Sequence, residues 1–563
     1  MERPAAEAHR PPATTEAPRR VVDAGGGGDH TGIQAAIDAS GAGDVIVVRP
    51  GVYEEGLVVD KPLEIVGDGP RDEIVVRAHG ANALLFSASI GRVAGLTLRQ
   101  AGGGEWYGVE VTQGRLDLED CEVSSESLAC VAIRASADPR LRHNLVRGGA
   151  AAGIFIYEGA QGTLEDNEVT DNALAGVEIK GGANPTLRRN RIHDGRGGGV
   201  FVHTGAQGVI DGNDIFGNAF SGVSITLGAN PTVRRNRIHD GKASGVFVYD
   251  DGRGVIEDNE IFANAFSGVS IKSGASPTLR RNRIYENVGA AGVLVYAGGG
   301  GVVEDNEVFG NGGAGVEVKE GSAPTVRRNR IRDGLAGGIF VHTDARGVFE
   351  DNDISGNTFS GVSVKHGGDP LLRRNRIHDG RASGVFVYDE GRGTLEENDI
   401  FANAFAGVSI KQHGDPVLRR NRITEGREAG VFVYKEGRGT LEDNDISGNV
   451  GAGVEIKEAS DPILRGNRIR NGRESGVSVH TDGRGTLEDN DIADNASAGV
   501  SISTGGNPTL RRNTINRNGS RGIRAVDGAA GTVEDNDLSD NALGAFEVDP
   551  ESEGTVRRAR NQE

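Results

Sequence analysis

An asparagine returns every 23 residues through most of this chain, as in Asn144, Asn167, Asn190 and onward to Asn513 and Asn536. One step is longer: Asn282 to Asn306 spans 24 residues, and the added residue falls in the Gly/Ala-rich stretch at Gly289–Ala291. A constant period of this length marks a repeat protein, in which each unit buries its apolar face against its neighbours. A chain of 563 residues would otherwise point to several globular domains, but a solenoid grows without needing a larger core.

Each repeat carries a glycine followed by alternating apolar residues, such as Gly199-Val200-Phe201-Val202 and Gly222-Val223-Ser224-Ile225. That period of two belongs to a strand. A second short segment, Thr186-Leu187-Arg188-Arg189, precedes its asparagine, and Ile192 follows it. Three short β segments separated by Gly, Asn and Asp turns fit one turn of a parallel β-helix. The expected fold is therefore all-β, a right-handed parallel β-helix of ~23-residue coils with a short N-terminal capping helix. The recurring asparagines are expected to point inward and to hydrogen-bond from coil to coil, satisfying turns that would otherwise be buried unpaired.

Two coil types alternate. One reads Pro-Thr-Leu-Arg-Arg-Asn-Arg-Ile (185–192), the other Gly-Thr-Leu-Glu-Asp-Asn-Asp-Ile (439–446). Stacking them places Arg373 and Arg374 between Glu350/Asp351 and Glu396/Glu397. A slip of one coil would bring like charges together, so the basic clusters read as register-setting ladders. With a net charge of −19, no nucleic-acid partner is expected.

Glycine is abundant, at 89 residues, but has no every-third period, which excludes collagen. Cys121 and Cys130 form neither a disulfide framework nor a zinc pattern; Cys121 lies one period before Asn144 and takes a ladder position. The first twenty residues lack an apolar h-region, and no run is long enough to span a bilayer. A cytoplasmic location with no membrane partner is the expectation.

Residues 1–20 are expected to form a disordered tail, 21–90 a cap with irregular first coils, 91–545 the regular helix, and 546–563 a partial coil and tail. In the cap, Thr31 is the expected helix N-cap, and Ile33, Ala36 and Ile37 form one apolar stripe covering the first coil. At the other end, Gly554–Arg560 opens a further coil with Ala559 in the asparagine's place. End-to-end self-association there is one way to cover the edge.

The elements Ile33-Gln34-Ala35-Ala36-Ile37, Pro50-Gly51-Val52-Tyr53 and Ile65-Val66-Gly67-Asp68-Gly69 resemble the opening of pectin lyase-like right-handed β-helix proteins. Coils such as 184–199 and 254–268 resemble the β-helix repeats of F-box-only ubiquitin-ligase adaptors. Together the resemblance covers about residues 21–545 and implies the fold. It implies little about activity, because such repeats serve lyases, hydrolases, epimerases and inert scaffolds alike. Neither an F-box before the cap nor a Cys/His-rich module after the coils is expected, so a ubiquitin-ligase role is not carried over. The Asn-Thr-Asp, Gly-His-Gly and Arg-Ile-Lys elements of polygalacturonases and the Asp-Pro-His element of alginate epimerases are absent from the sequence.

One face stands out. The outward positions of the Gly-led strand carry Phe155, Phe201, Phe247, Leu294, Phe340, Phe386 and Phe432. Two residues on, Tyr157, His203, Tyr249, Tyr296, His342, Tyr388 and Tyr434 alternate with a set that includes Lys272, Lys365 and Lys411. One reading is intercalated packing, with lysine stems covering the rings and cation–π contacts between coils. The other is a binding surface for a glycan or a protein, since aromatics interleaved with cations suit both. The expected function is a non-catalytic scaffold presenting this face, with no catalytic residue, metal or cofactor assigned. The alternative is a polysaccharide lyase, epimerase or hydrolase, with its site near Trp106, Tyr107 and Glu110, where the repeat is least regular.

Overall fold

The computed structural model describes residues 17–563. They fall into two compact units, one running to Glu178 and including Gly182–Arg191, the other Ile179–Gly181 with Ile192–Glu563. Each is a right-handed parallel β-helix of coils about 23 residues long. A coil contributes three short strands. One precedes the ladder asparagine (Leu371–Arg373), one follows it (Arg376–His378), and the third is the Gly-led strand (Val385–Val387). Each strand pairs in parallel with its counterpart one coil on, as Val385, Phe386 and Val387 do with Val408, Ser409 and Ile410.

The alternation explains the core. In the Gly-led strands the first and third residues point inward, and Val385, Val387, Val408 and Ile410 are completely buried. Leu372, Ile377, Leu395 and Ile400 fill the interior from the other two sheets. Coils repeat at ~4.8 Å, so each buried aliphatic residue packs on its equivalents above and below.

The asparagine ladder forms as expected. Asn352 donates its backbone N–H and its side-chain amide to Oδ1 of Asn375, at 3.0 and 2.9 Å, and the amide also reaches the Val326 carbonyl at 2.9 Å. The 24-residue step leaves it intact, since Asn282 reaches Oδ1 of Asn306 at 2.9 Å. Cys121 takes a ladder position in the first unit, its N–H donating to Asn144 Oδ1 at 3.0 Å. Burial pushes the Cys121 thiol up to about 11 and the Cys130 thiol up to about 12, so both stay protonated packing groups. The residue before each ladder asparagine adopts the left-handed conformation, with φ of 56° at Asp351 and 52° at Arg374. Two coils place glycine there, Gly212 and Gly466, each at φ 65°.

Several expectations are corrected. Of the tail expected over 1–20, residues 1–16 lie outside the described residues, whereas Arg19 and Arg20 already belong to a strand paired with Val45 and Ile46. The helix, Ile33–Ala39, buries Ile33, Ala36 and Ile37, but Thr31 does not cap it. The Glu55 carboxylate does so from the next turn of chain, accepting from the N–H groups of Ile33 at 2.6 Å and Gln34 at 3.1 Å. At the far end, Asn561 rather than Ala559 completes the ladder, accepting from the Asn536 backbone at 3.0 Å after a 25-residue step. Arg373 and Arg374 turn to one side only: Arg373 meets Glu350 at 2.6 Å and Arg374 meets Asp351 at 2.8 Å. Glu396 and Glu397 pair instead with Arg420 of the following coil.

Candidate functional site

The Gly-led sheet carries the candidate face. In the coils that carry an outward phenylalanine, its ring stacks on the ring two residues later, because both project from the same side of the strand. Ring centroids lie 4.4 Å apart in Phe155–Tyr157, 4.3 Å in Phe340–His342, and 4.4 Å in both Phe386–Tyr388 and Phe432–Tyr434. Lysines of intervening coils lie over these rings. Lys365 Nζ is 5.3 Å from the Phe340 centroid and 5.7 Å from Tyr388. Lys411 is 5.1 Å from Phe386 and 5.9 Å from Tyr434. Packing by lysine over aromatic rings is thus present, as one of the two readings expected.

The expected stripe is not uniformly outward. Leu294, Ser270 and Ser409 are buried; each serine is flanked in register by larger side chains, Ser270 by Phe247 and Leu294 and Ser409 by Phe386 and Phe432. In the second unit this leaves a groove of about 660 Å³ rather than a flat stripe. Ser360, Ser363, Ser383 and Ser409 are among the serines that line it, and Ser383 and Ser409 share a hydrogen bond of 2.9 Å. Phe340, Phe386, Tyr388, Tyr434 and Lys411 line it too. So do Phe359 and Phe405, both well exposed.

Phe359 and Phe405 escaped the sequence reading. They sit in the turns before the Gly-led strands, in Asn357-Thr358-Phe359-Ser360-Gly361 and Asn403-Ala404-Phe405-Ala406-Gly407. Their 46-residue spacing was the available signal. The asparagines heading these motifs belong to a second buried ladder, in which the coils beside Asn357 and Asn403 carry glycine: Gly380 N–H donates to Asn403 Oδ1 at 3.1 Å.

Glu317 is the carboxylate in the groove lining. His342 Nε2 lies 3.2 Å from its Oε1 and Lys319 Nζ 3.4 Å away. Burial acts to raise its pKa, but the His342 hydrogen bond and the charges of Lys319 and His342 outweigh this and hold it below the usual glutamate range. That is the reverse of what a general acid needs. By contrast, Lys365 and Lys411 have no carboxylate within ion-pair distance among the described residues.

The other predicted members divide in two. Phe201, His203, Phe247, Tyr249, Lys272 and Tyr296 lie lower in the second unit, where Phe247 stacks on Tyr249 at 4.5 Å under Lys272. Phe155 and Tyr157 belong to the first unit, where the Tyr157 hydroxyl is pushed up by burial and by its hydrogen bond with Tyr107. Glu110, in the alternative enzymatic region, is engaged on both oxygens, by Arg134 and by Asn82, each at 2.8 Å. A wider depression of about 730 Å³ elsewhere is lined by exposed turn residues including His366, Asp389, His413 and Glu436, with carboxylates facing each histidine. Among the described residues no group of His, Cys, Asp or Glu is placed to hold a metal ion.

A segment of 139 residues is 29% identical to the human SHC SH2 domain-binding protein 1, covering 24% of this chain and 20% of that protein. The match therefore spans about a fifth of that relative's length. Among solved structures, the A-module of the Azotobacter vinelandii mannuronan C-5 epimerase AlgE6 aligns at 19% identity and TM-score 0.33, over 66% of this chain and 94% of that one. A PL6 family alginate lyase aligns at 11% identity and TM-score 0.37, over 94% and 98%. Carrot pectin methylesterase aligns at 14% identity and TM-score 0.30, over 45% and 85%. At these scores the neighbours carry nothing about activity. The family model of the right-handed beta helix region matches residues 91–233, 129–284, 221–371, 314–462 and 406–558, and this chain belongs to that family.

Proposed function

We propose that the groove binds an extended, carboxylate-bearing glycan without altering it chemically. The observation that carries this reading is the placement of Phe359 and Phe405. These exposed rings lie two coils apart, about 10 Å along the axis, a distance close to a disaccharide in an extended 1,4-linked chain. Ser363, the half-buried serine of the lining, offers a hydroxyl to sugar hydroxyls. Lys365 and Lys411, without carboxylate partners among the described residues, supply single positive charges, which suit the lone carboxylates of a uronate chain better than dense sulfation.

Binding without turnover is favoured because the groove's carboxylate, Glu317, is held ionised by His342 and Lys319. Calorimetry with oligogalacturonate, beside a neutral cello-oligosaccharide, tests the reading. Saturable binding of the uronate, lost in Phe359→Ser/Phe405→Ser and with no shortening of the oligomer, is expected. Equal binding of the neutral oligomer would remove the role given to the lysines, and no binding of either would overturn the proposal.

A further inference from the structure

The second unit repeats the side chains of this groove. Six coils before the Phe359/Phe405 site, the same side chains recur in the same geometry, displaced by 139 residues, or by 138 beyond the long step. Phe220 and Phe266 occupy the turns of Phe359 and Phe405, and they are 64% and 43% exposed against 61% and 49%. Ser244 and Ser270 share a hydrogen bond of 2.9 Å, as Ser383 and Ser409 do. Phe247 stacks on Tyr249 at 4.5 Å, matching 4.4 Å for Phe386 on Tyr388. Lys272 lies 5.4 Å from Phe247 and 5.9 Å from Tyr296, where Lys411 lies 5.1 Å from Phe386 and 5.9 Å from Tyr434.

Core packing alone does not require this. Burial dictates the inward aliphatic residues and the asparagines, which repeat every coil. Exposed phenylalanines contribute nothing to that ladder, and coils between the two sites place Gly313 and Ala336 at the same turn. Large apolar side chains at two matching exposed places, each beside a lysine with no carboxylate partner among the described residues, mark two binding sites rather than one.

We infer that the second unit holds a second glycan site, formed by Phe220, Phe266, Phe247, Tyr249, Lys272 and the Ser244–Ser270 floor, for the same carboxylate-bearing chain. This rests on the function proposed above. The sites are not identical, because buried Thr226 stands where the upper site has Lys365, so the lower one carries less positive charge. Six coils separate them by about 29 Å along the axis. A polymer that spans this distance engages both, the second contact being intramolecular, and binds more tightly than a short oligomer by about a hundredfold or more.

The test is the stoichiometry of short oligogalacturonate on the full chain, followed by the affinity of polygalacturonate. Two sites are expected, with weaker binding at the lower one. Phe220→Ser/Phe266→Ser and Phe359→Ser/Phe405→Ser should each leave one, and the fourfold variant none. Each pair should also cut the polymer's advantage over the oligomer to near unity. These residues are exposed, so unchanged circular dichroism is expected and separates loss of a site from loss of fold. One site in the unaltered protein, abolished by Phe359→Ser/Phe405→Ser and untouched by Phe220→Ser/Phe266→Ser, would overturn the second site while leaving the proposed function standing. No binding at all would overturn both.

Discussion

Asn375 donates its backbone N–H and its side-chain amide to a single acceptor, Oδ1 of Asn398, each at 3.0 Å. The same side chain accepts both donors of Asn352 and gives its amide to the Phe349 carbonyl at 2.8 Å. Asn375→Ala removes the side-chain partner of the buried Asn352 N–H and of the Phe349 carbonyl, each loss costing about 1–3 kcal/mol, while the Asn352 amide keeps the Val326 carbonyl. A loss of about 3 kcal/mol or more is expected, concentrated in the flanking coils because a solenoid is held by nearest-neighbour contacts. Hydrogen exchange at Asn352 and its neighbours reports it. Protection unchanged from the native protein would show that the ladder adds little beyond aliphatic packing.

Lys411 lies over Phe386, Tyr388 and Tyr434 at 5.1, 5.7 and 5.9 Å. Lys411→Met keeps most of the stem and removes the cation. Stability should fall by only about 0.5–1 kcal/mol, the scale of an exposed cation–π contact. Oligogalacturonate affinity at the upper site should fall about tenfold, equivalent to ~1.4 kcal/mol. Lys411→Arg should retain most of it. Equal affinity in all three proteins would mean that this lysine serves packing alone.

The Glu317–His342 pair sets a pH dependence. The folded-state pKa of Glu317 lies below its unfolded value, so the carboxylate's stabilising contribution is complete above the usual glutamate range. It is lost as pH falls below that range and through the folded value. Glu350 and Asp351 shift the same way, chiefly through hydrogen bonds from Arg373 and Arg374, although solvent at those arginines weakens the effect. Urea midpoints should therefore drop from neutral pH toward about pH 3, and Glu317→Gln should flatten part of that slope. An unaltered slope in Glu317→Gln would remove the pair from the account.

Coil architecture was legible in the sequence because one residue type, asparagine, must sit at one place per coil to satisfy buried backbone. The candidate site was legible only in part. Phe340, Phe386, Tyr388 and Tyr434 alternate within strands, so period-two reasoning finds them. Phe359 and Phe405 lie in turns outside that alternation, and their 46-residue spacing is visible only when turns are aligned as carefully as strands. Ser409 and Ser270 show the limit of period two: the outward side of a strand is not solvent when neighbouring coils carry larger side chains beside it. Thr31 shows the limit of local capping rules, which cannot foresee an acceptor arriving from another turn of chain.

That last case gives a sharp comparison. Glu55 binds the Ile33 and Gln34 N–H groups with separate oxygens, and Gln34 Oε1 in turn accepts the Val58 N–H at 2.8 Å. The helix has only seven residues, too few to hold itself together, so this clamp and the burial of Ile33 and Ile37 keep it over the first coil. Glu55→Ala leaves two N–H groups without their acceptor and should cost about 1 kcal/mol, with faster exchange at Ile33 and Gln34. Glu55→Gln keeps one oxygen acceptor and should cost less. Thr31→Ala should be close to neutral. The opposite ranking, with Thr31→Ala the more damaging, would return the cap to the residue that local rules name.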